Sequence, residues 1–160
     1  MSTIVVRRSR SRWPSLAVFV ALVALTASAG VMFEPASWYV QLSKPSWNPP
    51  NWIFAPVWTV LYLAIAVAGW LVWQRRRRVG VALHLWFAQL LFNWMWPFLF
   101  FGLHRIDLAL IDIALLLTVI FAFIFSAYRR SAVASWLFVP AALWVGFAAA
   151  LNFAIWQLNS

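Results

Sequence analysis

Residues 46–74, SWNPPNWIFAPVWTVLYLAIAVAGWLVWQ, contain no charged side chain. Pro49, Pro50 and Pro56 break the first part; from there on the run is continuous and apolar. A helix crosses the hydrocarbon of a bilayer with roughly 20 mostly apolar residues. The stretch therefore predicts a membrane-spanning helix over 56–74, entered through a proline- and tryptophan-rich segment.

The same test applied outward finds four more runs. Residues 13–33, 79–104 and 131–160 carry no Asp, Glu, Lys or Arg, and 106–128 carry only Asp107 and Asp112. The expected helices are 14–33, 56–74, 80–102, 107–128 and 132–157, in one all-α domain over 1–160. Composition agrees: the chain is 66% hydrophobic and 9% charged, against about 45–50% and about 25% in soluble domains. Long continuous runs argue against a barrel, whose strands are short and alternate. There is no cysteine, which excludes disulfides and thiolate chemistry.

Charge sets the orientation. Arg7, Arg8, Arg10 and Arg12 precede the first span, Arg75–Arg78 follow the second, and Arg129 and Arg130 separate the fourth and fifth. Of 12 Lys and Arg residues, only Lys44 and Arg105 lie on the other side. The positive-inside rule then puts the N-terminus in the cytoplasm. The Arg75–Arg78 run reads as an anchor on anionic headgroups rather than a nucleic-acid site. Residues 1–30 also resemble a secretory signal, with Ala27-Ser28-Ala29 before Gly30. Because the apolar run continues through Val31, Met32 and Phe33, it is long enough to span, and retention is expected.

Between the first two spans, Pro35, Pro45, Pro49, Pro50 and Pro56 forbid a continuous helix. Trp38, Tyr39, Trp47 and Trp52 argue for a folded interfacial cap or an aromatic belt. Pro97 and Pro140 fall inside spans, where each is expected to bend its helix. Small residues four apart, Ala17/Ala21, Ala24/Ser28 and the row Ala142, Gly146, Ala150, Ala154, suit close helix packing.

Residues four apart share a helix face. Phe54, Trp58 and Tyr62 align on the second span, Gln89 and Asn93 on the third between Trp86 and Trp96, and Trp144, Ala148 and Asn152 on the fifth. Amides at membrane depth serve either as interhelical hydrogen-bonding glue or as the few polar groups of an aromatic-walled ligand site. With 13 tryptophans in the chain, a flat apolar ligand is the expected occupant, held by stacking. Asp112, within the fourth span, reads equally as a functional acid or a structural one. His84 and His104 lie too far apart to share a metal, and no metal ligand is assigned. No nucleophile–His–acid trio or phosphate loop is present, so no catalytic residue is assigned.

The run Trp38-Tyr39-x-x-Leu42-x-Lys44-Pro45-x-Trp47-x-Pro49-Pro50-x-Trp52-x-Phe54-x-Pro56-Val57-Trp58-Thr59-x-Leu61-Tyr62 resembles the signature of the TspO/translocator protein (TspO/MBR) family. So do Gln89-Leu90-x-x-Asn93-x-x-Trp96 with Phe100-Phe101-Gly102, and Pro140-x-x-x-Trp144 with Leu151-Asn152. The resemblance implies a five-helix bundle, often dimeric, whose first loop closes a pocket for porphyrins such as protoporphyrin IX, for drug-like apolar molecules and in some members for sterols. It implies ligand contacts at Tyr39, Trp58, Tyr62, Asn93, Trp144 and Ala148; with Phe54, Gln89, Trp96 and Asn152 these form the expected ligand-binding set. It also implies that Trp58 and Trp144 are the redox candidates for light-dependent porphyrin breakdown.

Two positions depart from the family pattern. Ala141 follows Pro140 where a tyrosine is usual, and Phe153 stands where animal members have the tyrosine of a sterol motif. The expected partners are thus a porphyrin or similar apolar molecule, membrane lipid and a second copy of the chain, with no nucleic acid and no covalently bound cofactor. The expected location is a bacterial membrane.

Overall fold

The computed structural model describes residues 13–33, 37–75 and 80–160. Arg7, Arg8, Arg10, Arg12, Pro35 and Arg76, Arg77 and Arg78 lie outside the described residues. The elements are α1 (Trp13–Met32), α2 (Ser37–Gln41), a 3₁₀ turn (Asn51–Ile53), α3 (Phe54–Gln74), α4 (Val81–Pro97) continued by a π-helical turn (Phe98–Gly102), α5 (Ile106–Tyr128) and α6 (Ala132–Asn159). No strand occurs among the described residues.

Four helices, α1, α3 with its 3₁₀ lead-in, α5 and α6, are long and apolar enough to cross a membrane. The helical bounds follow the expected ones with two physical exceptions. Helix α3 starts at Phe54, so Pro56 falls in its first turn, where backbone N–H groups have no helical partner to lose. The third expected helix is split: α4 is 17 residues long and ends at Pro97. Proline has no N–H for the Asn93 carbonyl, and the chain widens into a π turn closed by the Leu103 amide donating to the Phe98 carbonyl at 2.8 Å. At Pro140 the helix continues without a break.

Among the described residues, α1 packs on α3, α3 on α6, α6 on α5, α5 on α4 and α4 back on α1, which closes a ring of contacts. Their inward faces carry Ile65, Trp86, Ile120, Phe123 and Phe138; Phe123 and Phe138 seal α5 to α6 with ring centroids 4.0 Å apart. The outward faces expose Leu25, Phe125, Trp136 and Leu143. That inversion is what lipid solvation permits.

The tightest crossing involves three helices at Gly69. A Cβ built there would lie 2.4 Å from the Trp86 indole of α4 and 2.9 Å from Phe19 of α1. The indole is fully buried and donates from Nε1 to the Ile65 carbonyl of α3 at 2.8 Å. The expected small-residue rows do not make such contacts within the chain. Ala17, Ala21 and Ala24 are exposed, and a Cβ on Gly146 would meet nothing within 4 Å. The reason is geometric: at 3.6 residues per turn, each step of four drifts around the helix. The row that begins at buried Ala142 has therefore reached the exposed surface by Ala150.

The proline-rich segment is folded onto one end of the ring. Trp38 of α2 stacks on His104 at 4.2 Å; His104 has φ 56°, a left-handed turn that short polar residues tolerate. Tyr39 packs edge-on against Phe100 and Phe101, and burial pushes its phenol above the ordinary tyrosine range. Lys44 folds back, donating to the carbonyls of Val40 and Leu42 at 3.4 and 3.2 Å with its ammonium 4.4 Å from the Tyr39 ring centre. Cations suit a helix C-terminus and an aromatic face, so Lys44 closes α2 in both ways. Asn159 then clasps Ser43: the Ser43 amide donates to Asn159 Oδ1 at 3.0 Å, and Asn159 Nδ2 donates to the Ser43 carbonyl at 2.9 Å.

Replacing Gly69 with Ala is expected to destabilise the protein by about 1–3 kcal/mol, the usual range for overpacking, because a buried indole and a phenyl must both move. Gly146→Ala is expected to be neutral or to stabilise by up to ~1 kcal/mol through helix propensity. Unfolding in detergent micelles, followed by tryptophan fluorescence, compares the two.

Candidate site on the inner faces of α3, α4 and α6

Helix α3 presents Phe54, Trp58 and Tyr62 one turn apart, and the structure carries each to a partner on this inner side. Phe54 meets Trp144 of α6 edge-on at 5.7 Å between centroids. Trp58 leans on Tyr62 at 5.2 Å. The Tyr62 hydroxyl donates to Asn93 Oδ1 of α4 at 3.1 Å. One turn beyond Asn93, Trp96 Nε1 donates to Asn152 Oδ1 of α6 at 3.0 Å, and Asn152 Nδ2 donates to the Ile106 carbonyl of α5 at 3.1 Å. The ring of Trp96 stacks on Phe100 at 4.9 Å, the same ring that receives Tyr39 and Trp38. Ala148 is half-buried against this core.

The predicted ligand-binding residues thus divide by what their polar atoms do. Asn152 and the Trp96 indole are engaged with each other and with α5. They tie three helices together, as interhelical amides do in lipid. Other polar atoms are buried and have no hydrogen-bond partner among the described residues: both ends of the Gln89 amide, Asn93 Nδ2 and Trp144 Nε1. Gln89 is fully buried and Asn93 is 5% exposed. A buried donor without a partner costs about 1–3 kcal/mol, which sets these groups apart from the ones that join helices. Asp112 Oδ2 on α5 is likewise buried without a partner.

Trp58 and Trp144, the two redox candidates, are both half-buried, and Trp144 contacts Phe54, one turn before Trp58 on α3. Three aromatic residues outside the expected ligand-binding set belong to the same surroundings. Phe147 contacts both Trp144 and Trp47, at 5.6 and 5.8 Å, linking the proline-rich segment to α6. Phe100 and Phe101 form the platform under Tyr39. The signal for Phe147 was its position one turn from Trp144; Phe100 and Phe101 stood in the quoted motif, but helical spacing did not put them in the site, since the π turn rotates them off the α-helical register.

Comparison with known proteins gives one consistent result. The family model described as TspO/MBR family matches residues 15–157. "Tryptophan-rich protein TspO" of Chlorobaculum tepidum is 41% identical over 155 residues, covering 91% of this chain and 96% of that one. "Translocator protein" of Sus scrofa is 37% identical over 137 residues, covering 83% and 81%. "Tryptophan-rich sensory protein" of Cereibacter sphaeroides is 35% identical over 147 residues, covering 92% of each. With apolar membrane-length helices, a tryptophan-rich inner face and a match over nearly its whole length, this chain is an integral membrane protein that belongs to the TspO/MBR family.

Proposed function

We propose that this protein is a membrane receptor or carrier that binds porphyrins of the protoporphyrin IX type, and other flat apolar molecules, on the inner faces of α3, α4 and α6. The observation that carries the reading is the pair of unpartnered buried donors, Trp144 Nε1 and Asn93 Nδ2, on residues in contact with the aromatic rings of Phe54 and Tyr62. Apolar walls with a few directed polar groups are the usual make-up of a small-molecule site. The segment from α2 to the 3₁₀ turn serves as its lid, held by the Ser43–Asn159 pair and the Trp47–Phe147 contact. In this reading α4 and its π turn together make a fifth membrane crossing. The arginine-rich ends face the cytoplasm of a bacterial cell, and the protein works as a homodimer in contact with lipid.

A second reading rests on the adjacency of Trp58 and Tyr62, two oxidisable rings 5.2 Å apart. Under light, a bound porphyrin passes energy or an electron to dioxygen, and Trp58 and Trp144 react with the resulting oxygen species or pass electrons, so that the porphyrin is broken down rather than carried.

Protoporphyrin IX is expected to quench the tryptophan fluorescence of the purified protein saturably. The double variant Trp58→Phe, Trp144→Phe is expected to bind about fivefold more weakly, on the scale of ~1 kcal/mol for lost aromatic contacts. A linear, unsaturable quench in the native protein rejects the site.

For the second reading, illumination of the complex is expected to produce a new absorbing product faster with the native protein than with the double variant, compared at equal porphyrin occupancy. Equal rates remove the photochemical role and leave binding intact.

A further inference from the structure

The connection between α5 and α6 is short and tightly made. The amides of Arg130 and Ser131 both donate to the Ala127 carbonyl, at 2.9 and 2.8 Å. Ser131 Oγ caps α6 by accepting from the Ala134 amide at 3.3 Å. One turn on, the Ser135 hydroxyl donates to the Ile124 carbonyl at 2.8 Å, and Ser135 is 3% exposed. These bonds hold the last turns of α5 against the first turn of α6. Beside them lies a cleft of about 500 Å³ lined by Ile124, Phe125, Tyr128, Arg129 and Ser135. None of the ligand-binding residues described above lines it, and it sits at the opposite end of α6 from the Ser43–Asn159 clasp.

Its lining divides into an apolar part and a part with tyrosine and arginine. Phe125, 76% exposed, and Ile124, half-buried against the core, form an apolar wall. At the mouth, Tyr128 is exposed and Arg129 is the C-cap of α5. Arg75 reaches across to donate from Nη1 to the Arg130 carbonyl at 3.1 Å, bringing a third guanidinium to this end. No acid offsets them among the described residues: Asp107 and Asp112 lie in the N-terminal half of α5, and Asp107 is paired with Arg105.

We propose that this cleft is a site for one anionic diacyl phospholipid, with an acyl chain along Ile124 and Phe125 and the headgroup phosphate on Arg129 and Tyr128. Charge complementarity selects the occupant. Basic pockets between helices at an arginine-rich membrane face bind acidic headgroups through their positive charge. A free phosphate would use only the mouth and leave the apolar wall without a partner. The plainer account is that Arg129 and Arg130 contribute only diffuse positive charge, as any arginine at a membrane face does. The two accounts differ in which arginine matters and in whether the wall matters.

The protein is purified in neutral detergent and titrated with palmitoyl-oleoyl phosphatidylglycerol, with the phosphatidylcholine of the same chains, or with glycerol phosphate. Bound lipid is counted by native mass spectrometry. One phosphatidylglycerol is expected to bind in preference to phosphatidylcholine, and glycerol phosphate is expected not to compete. Arg129→Gln is expected to weaken phosphatidylglycerol binding about fivefold, which corresponds to ~1 kcal/mol; Arg129→Lys is expected to retain most of it. Phe125→Ser is expected to weaken both lipids, and Arg130→Gln neither. Equal retention of the two lipids, equal effects of Arg129→Gln and Arg130→Gln, or full competition by glycerol phosphate would each overturn the site. Melting of every variant in lipid-free detergent separates loss of the site from loss of the fold: a weakened Arg129→Gln that melts like the native protein supports it. If Arg129→Gln instead melts lower, the conservative Arg129→Lys decides: retained binding supports the site and lost binding overturns it.

Discussion

The approach of α3 to α4 rests on one contact, the Trp86 indole lying in the notch left by Gly69 and bonded to the Ile65 carbonyl. It sets the register of two antiparallel helices. Seven residues before Gly69 on α3 is Tyr62, and seven residues after Trp86 on α4 is Asn93. Seven residues are close to two helical turns, so both return to the same facing sides, and there the Tyr62 hydroxyl meets Asn93. The helices α3 and α4 are thus bridged by long side chains at two levels. A side chain at position 69 would spread this pair from the end where α1 also enters through Phe19.

Polar groups at this depth have only each other for partners, because lipid supplies none. The chain spends most of them on joining helices: Trp70 to Ser15, Trp96 to Asn152, Asn152 to Ile106, Ser135 to Ile124. Against that background, Gln89, Asn93 Nδ2 and Trp144 Nε1 stand out as buried capacity that the fold does not consume. They lie on α4 and α6, the helices whose ends are also contacted by the proline-rich segment through Phe100, Phe101, Phe147 and Asn159. Loop and helix ends are therefore joined by ring contacts and one amide clasp.

The helices were legible because their signal is simple: long charge-free runs between arginine clusters admit few readings. Two features were not. The division of the third run at Pro97 follows from a missing N–H, but whether a chain bends, stops or widens there depends on what packs on it. At Pro140 the helix simply continues, while at Pro97 the Phe100 and Phe101 rings are drawn under Tyr39 and the turn becomes π-helical. The small-residue rows misled for a related reason. Spacing of four looks like a stripe in sequence, yet it winds off the contact face, and the glycine that matters, Gly69, stands outside any such row.

The amino-acid order by itself determined the membrane as solvent, the number and limits of the apolar runs, the family, and which side chains are costly enough at depth to need a purpose. Those follow from transfer free energies and helix periodicity, which are local. Only the tertiary structure decided which amides are spent on holding helices together and which remain free. Asn93 and Asn152 are the same residue type on similar faces, but Asn152 meets an indole and a carbonyl while Asn93 meets one hydroxyl. Hydrogen-bond satisfaction is a property of what lies opposite, and what lies opposite is set by how five helices cross.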